Sequence, residues 1–134
     1  MKAKDLIRLA EAARERAYAP YSNFLVGAAL LGKSGKVYLG CNVENAGYSA
    51  TNCAERTAFF KAISDGEREF QAIAIVGGKR GEKPGFCAPC GICRQVMAEF
   101  CDGEFPVVLG SADKYEIHKL SDLLPLAFNP DSLT

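Results

Sequence analysis

Two apolar, β-prone runs, Phe24–Leu31 and Val37–Val43, are joined by the turn-forming Gly32-Lys33-Ser34-Gly35, and a stretch of this form closes into a hairpin. The rest of the chain alternates helix and strand patterns around it. Ahead of the hairpin, residues 5–17 set Leu6, Leu9, Ala10, Ala13 and Ala17 at helical spacing with Lys4, Arg8, Glu11 and Arg14 opposite, which predicts a surface helix ended by Pro20-Tyr21-Ser22-Asn23. Behind it come a polar loop (45–52), a second helix (53–64) stopping at Asp65-Gly66, and a short buried strand (72–76) bounded by Gly77-Gly78. A charged loop (79–85) follows. Proline is favoured at the first helical position, so a third helix is expected from Pro89, with Ile92, Val96 and Phe100 on its buried face. Strand patterns at 107–109 and 115–120 and a short helix at 121–128 complete the series. This order predicts an α/β fold over residues 1–134 as one domain, a mixed sheet with helices on its faces.

With 134 residues, 49% of them apolar, the chain can bury a core of its own. No apolar run approaches the roughly 20 residues of a membrane span, and the start is amphipathic where a signal peptide is apolar. A cytoplasmic location is the expectation. Sixteen basic and sixteen acidic side chains cancel, which argues against nucleic acid as a partner, because that affinity comes largely from Lys and Arg on phosphates. A small neutral partner fits better. Six cysteines remain to be explained; in a chain with a viable core, thiols more often bind metal or do redox chemistry than form disulfide staples.

Spacing sorts them. Cys90 and Cys93 lie three apart in the first turns of the third helix and share a face. A helix N-terminus favours thiolate over thiol, so the pair suits a metal ion. A catalytic zinc site takes three protein ligands, and the candidates for the third are Cys53, Cys41, Cys87, Cys101 and His118. Cys53 is the best placed. It too stands at a helix start, after Thr51 and Asn52, which have cap-forming side chains, and Glu55 follows two residues later.

Cys53-Ala54-Glu55 followed by Pro89-Cys90-Gly91-Ile92-Cys93 matches, with Cys in place of His, the signature of zinc nucleobase deaminases. With Tyr18-Ala19-Pro20-Tyr21-Ser22-Asn23-Phe24, Val26-Gly27-Ala28-Ala29-Leu30, Asn42-Val43-Glu44-Asn45, Cys93-Arg94-Gln95 and Leu123-Leu124-Pro125-Leu126-Ala127-Phe128, the sequence resembles the small, all-cysteine cytidine deaminases over nearly its whole length. The resemblance implies a three-layer α-β-α sandwich on a mixed five-stranded sheet, one Zn²⁺ per chain on Cys53, Cys90 and Cys93, and a homotetramer. It implies deamination of cytidine and deoxycytidine in pyrimidine salvage, with zinc-bound water as nucleophile and Glu55 carrying protons. Arg56 then offsets the charge of three thiolates, with Arg94 as a second candidate. Asn42 and Glu44 read the ribose, Phe24 packs on the pyrimidine, and the Ala54 main chain meets the base carbonyl. Tyr48 and Phe128 complete a neighbouring subunit's pocket. A carboxylate at the sugar and no phosphate cradle favour a nucleoside over a nucleotide.

Other readings compete. Glu55 three residues after Asn52 has the form of a capping box, and Cys87-Ala88-Pro89-Cys90 that of a redox pair at a helix start. The redox reading leaves Cys53, Glu55 and Cys93 unexplained. Cys41, Cys87 and Cys101 read as inert small side chains, and His118 as structural or exposed. A relative acting on another aminopyrimidine nucleoside or on cytosine in RNA, and a structural zinc site in a binding module, are the alternative functions.

Overall fold

The computed structural model describes residues 1–134. The elements in chain order are α1 (Ala3–Arg14), β1 (Phe24–Gly32), β2 (Val37–Cys41), α2 (Ala54–Ser64), β3 (Phe70–Lys79), α3 (Gly91–Phe100), β4 (Pro106–Gly110), β5 (Tyr115–Lys119) and α4 (Leu120–Leu123). The five strands form one sheet in the order β2-β1-β3-β4-β5. Only β3 and β4 run parallel; the other neighbours are antiparallel. No helix is long and apolar enough to cross a membrane.

The sheet separates two cores because successive side chains of a strand point to opposite faces. On β1, Ala29 and Leu31 pack with Leu6, Ile7 and Ala10 of α1, while Ala28 and Leu30 pack with α2 and α3 around Phe59, Cys93 and Met97. The result is the expected three-layer α/β architecture on a mixed five-stranded sheet.

Several element bounds and faces differ from the sequence reading. α1 ends at Arg14, three residues before Ala17, and Arg14, assigned to the polar side, is buried. β3 does not stop at Gly77-Gly78 but runs on to Lys79, where those glycines pair with Val26 and Leu25. Pro89 lies outside α3, whose N-cap is Cys90, so the buried face rotates: Cys93, Met97 and Ala98 are covered and Ile92 stands in solvent. The helix expected over 121–128 is a single turn, α4, and a bend and turn over 124–126, with Leu126 at φ 54°, follow it.

α2 sits directly on β2 at Gly40. A Cβ there meets the Ala54 carbonyl and lies 2.6 Å from Ala58 N. Only glycine allows that approach, and the alanines at 54, 58 and 62 keep the facing side of the helix thin. Gly40→Ala is therefore expected to push the start of α2 off the sheet and lower stability by about 3 kcal/mol, read as a shifted urea midpoint.

Candidate active site

Both α2 and α3 begin on a cysteine. Cys53 is the N-cap of α2 and Cys90 that of α3, each extended in backbone, each accepting a bond at its carbonyl from the residue four positions on, and neither capped by a side chain. Thr51 and Asn52 do not cap α2: the Thr51 hydroxyl accepts from Asn45 N, and the Asn52 amide donates to Thr57. Both helix starts thus keep first-turn N–H groups uncapped at the end where a cysteine stands, and their dipoles favour thiolate there.

The sulfurs of Cys53, Cys90 and Cys93 all lie within 4.8 Å of one another. A tetrahedral zinc with Zn–S bonds of about 2.3 Å sets its sulfurs about 3.8 Å apart; here Cys53 to Cys90 is 3.8 Å and Cys90 to Cys93 is 3.5 Å. The donor set fits zinc, and three ligands leave its fourth position for a small molecule. A hydrogen bond from Cys93 draws the Cys53 thiol down to about 5, helped by Arg56 and Cys90, while Cys93 is pushed up by sharing that proton and by burial. Arg56 donates to Cys53 Sγ at 3.2 Å, and the thiolates raise its own pKa, Cys53 first.

Glu55 is the second residue of α2 and is only 4% exposed. Burial pushes its carboxyl up to about 7, and the negative Cys53 adds to the rise. Such a group holds or releases a proton near neutral pH. The capping-box reading fails, because Cys53, not Asn52, occupies the cap.

The remaining candidates fall in three places. Phe24 opens β1 with its ring partly in solvent, beside Gly77 and Cys87. Asn42 lies just past β2 and uses both ends of its amide on β1: Nδ2 donates to Phe24 O and Oδ1 accepts from Val26 N, each at 2.9 Å, leaving one N–H and one lone pair. Glu44 accepts from Tyr21 N and Ser22 N at 3.0 and 3.1 Å and from the Ser22 hydroxyl, which, first among these, holds its carboxyl below the usual range. Glu44 and Tyr48 line one hollow with Tyr21, Ser22, Asn45 and Thr51. Phe128 is held elsewhere, on α3, where Gln95 Nε2 donates to its carbonyl at 2.6 Å.

Arg94 does not approach the sulfurs through any hydrogen bond. Its donors go to Pro89 O at 2.8 Å and Leu123 O at 2.6 Å, tying the loop before Cys90 to α4. Cys87 is pushed up to about 11, chiefly by burial, which opposes the low-pKa thiolate a redox pair needs. Burial also raises Cys41, and Cys101 to about 12. His118 pairs with Glu116 on β5 at 3.0 Å. The sequence reading missed the interior role of Arg14 and the room that Gly77 gives Cys87; the Gly77-Gly78 pair was the available signal.

An α/β sandwich that brings three cysteine sulfurs together at two helix starts, with a buried glutamate beside them, has the donor set and the acid–base group of the zinc deaminase class of hydrolases. The family model described as the cytidine and deoxycytidylate deaminase zinc-binding region matches residues 1–109. The cytidine deaminase of Sporosarcina psychrophila is 52% identical over 136 residues, covering 100% of this chain and 96% of that protein. That of Halalkalibacterium halodurans is 52% identical over 135 residues, with 99% and 98% covered. The crystal structure of cytidine deaminase from Burkholderia pseudomallei superposes with a TM-score of 0.87 at 53% identity, covering 96% of this chain and 100% of that one. The chain belongs to the cytidine and deoxycytidylate deaminase family.

Proposed function

We propose that the protein, as one domain with one zinc per chain, hydrolyses cytidine and deoxycytidine to uridine and deoxyuridine with release of ammonia, in cytoplasmic pyrimidine salvage. The observation that carries the reading is Glu55, buried at the start of α2 next to the sulfurs of Cys53, Cys90 and Cys93. When bound, zinc supplies the Lewis acidity that makes water a nucleophile at neutral pH.

The chain's own groups do the rest. Glu55 removes a proton from the attacking water and delivers it to N3 of the base as the oxygen bonds to C4. It then takes the second proton, from the hydroxyl now on C4, and hands it to the amine, so the C4–N bond breaks as the C4 carbonyl forms, ammonia leaves and the carboxylate is restored. Arg56, on Cys53, offsets part of the negative charge of three thiolates; a cation about 5 Å away at an effective dielectric near 20 contributes roughly 3 kcal/mol. Phe24 packs on the pyrimidine and the Ala54 N–H, free at the first turn of α2, meets the base carbonyl.

Asn42 and Glu44 read the ribose, the one with its remaining N–H, the other with its ionised carboxylate. That carboxylate disfavours a phosphate. The active assembly is a homotetramer in which Tyr48 and Phe128 reach a neighbour's pocket; both stand well out from their own chain, Tyr48 at 81% exposure.

The test is ammonia release, with zinc quantified, from cytidine, deoxycytidine, cytidine monophosphate, cytosine and adenosine. Both nucleosides are expected to turn over, with free cytosine and the monophosphate at least about 10²-fold poorer in kcat/KM and adenosine inert. Preference for the monophosphate would overturn the sugar assignment, and no turnover of cytidine the function.

A further inference from the structure

Arg14 closes α1, takes no part in the sulfur cluster, and is only 3% exposed. Its ion-pair partner, Glu15 Oε1 at 3.1 Å, belongs to a side chain that is itself largely in solvent. Carrying a guanidinium inside is costly unless its donors are satisfied. Here main-chain carbonyls satisfy them: Nε donates to Leu25 O at 3.2 Å, and one terminal nitrogen to Gly78 O and Lys79 O at 2.9 Å each, with Glu82 O at 3.4 Å.

The carbonyls chosen lie at one point of the sheet. Leu25 faces Gly78 and Phe24 faces Lys79 across the β1–β3 ladder. Asn42 grips the same stretch at Phe24 O and Val26 N. Three successive backbone groups, Phe24 O, Leu25 O and Val26 N, are thus each held by a side chain from outside the strand. Immediately before them, Asn23 has φ of 60°, and Arg80 holds its carbonyl and its side chain at 3.0 Å each. Strand ends ordinarily fray, yet this one is pinned where it carries an aromatic ring. The ring reaches over Gly77, where a Cβ would stand 3.1 Å from Phe24 Cε1 and 2.7 Å from Cys87 Cβ.

We infer that Arg14 is a positioning residue for substrate binding: its fork ties the start of β1 to the end of β3 so that the Phe24 ring stands at a fixed place on the pocket wall. The inference rests on the proposed packing of Phe24 on the pyrimidine. Lysine keeps the charge and the stem but presents a compact ammonium in place of the fork, and cannot span the Leu25, Gly78 and Lys79 carbonyls together. It also avoids the uncompensated carbonyls that an apolar substitution leaves.

The test is a double-mutant cycle of Arg14→Lys and Phe24→Leu, read as KM and kcat for cytidine, the calorimetric Kd of uridine, and the melting temperature. Arg14→Lys is expected to raise KM and the uridine Kd about tenfold with kcat changed less than about twofold. In the Phe24→Leu background it should move KM by less than about twofold further. A lowered melting temperature with unchanged KM and Kd would make Arg14 merely structural and overturn the proposal. So would an equal KM increase in both backgrounds, which would show that Arg14 does not act through Phe24. If Phe24→Leu alone leaves KM untouched, the packing of that ring on the base fails and the proposal with it; failure of Arg14 alone is distinguished by Phe24→Leu raising KM where Arg14→Lys does not.

Discussion

Glu55→Ala is expected to retain about one zinc per chain and to lose a factor of about 10²–10⁴ in turnover of cytidine. Metal retention follows from the geometry: the cluster is made by three sulfurs at two helix starts, and the carboxylate is not among them. The loss of rate follows from the lack of a substitute. Cys87 lies near enough to feel the charge of Glu55, but its thiol, pushed up to about 11, does not exchange protons at neutral pH. Arg56 is held in its charged form by the thiolates. Glu55, at about 7, is the group matched to the task. Zinc is measured on the purified variant and ammonia release under saturating cytidine. Full activity with zinc bound would sink the proton-carrier role; loss of zinc together with activity would show that Glu55 supports the metal.

The sulfur triad was legible in the sequence because the Cys90–Cys93 spacing is local, both on one helix face, and a helix start marks the third sulfur, Cys53. The sheet was legible for a similar reason: the run at 72–76 is apolar enough to be a buried strand, and Ile73–Val76 are buried, while the run at 24–31 forms the expected hairpin arm with β2. What failed was local inference about long side chains and helix phase. Arg14 looks like a solvated charge on a helical wheel, but its carbonyl partners at Gly78 and Lys79 lie more than sixty positions away, and nothing in the spacing announces them. α3 starts two residues later than proline preference suggests because Cys90 takes the cap. That shift sends Ile92 outward and turns Cys93 and Met97 toward α2. Asn42 and Glu44 were picked out as ligand readers, yet most of their hydrogen-bonding capacity shapes the strand and loop that surround the site.

Cys90→Ser is expected to lose bound zinc and to reverse its rank in stability when a chelator is added. A serine hydroxyl is not ionised at neutral pH and replaces a thiolate poorly, so two sulfurs are left to hold the ion. Metal that binds only the folded chain stabilises it by mass action, about 4 kcal/mol when present at a thousand times its Kd, and the variant forgoes that. The substituted position is also the N-cap of α3, which carries no side-chain cap. Serine is among the best residues there and contributes about 1 kcal/mol over a residue that does not cap. With zinc supplied, the parent should therefore melt well above the variant; with chelator, the variant should equal or exceed the parent. A purely packing role for Cys90 predicts the same difference in both conditions. A redox role shared with Cys87 predicts a parent indifferent to chelator and sensitive to reductant. The reversal of sign belongs to the metal reading alone, because only there does one atom serve two ends, closing the zinc site and opening the helix.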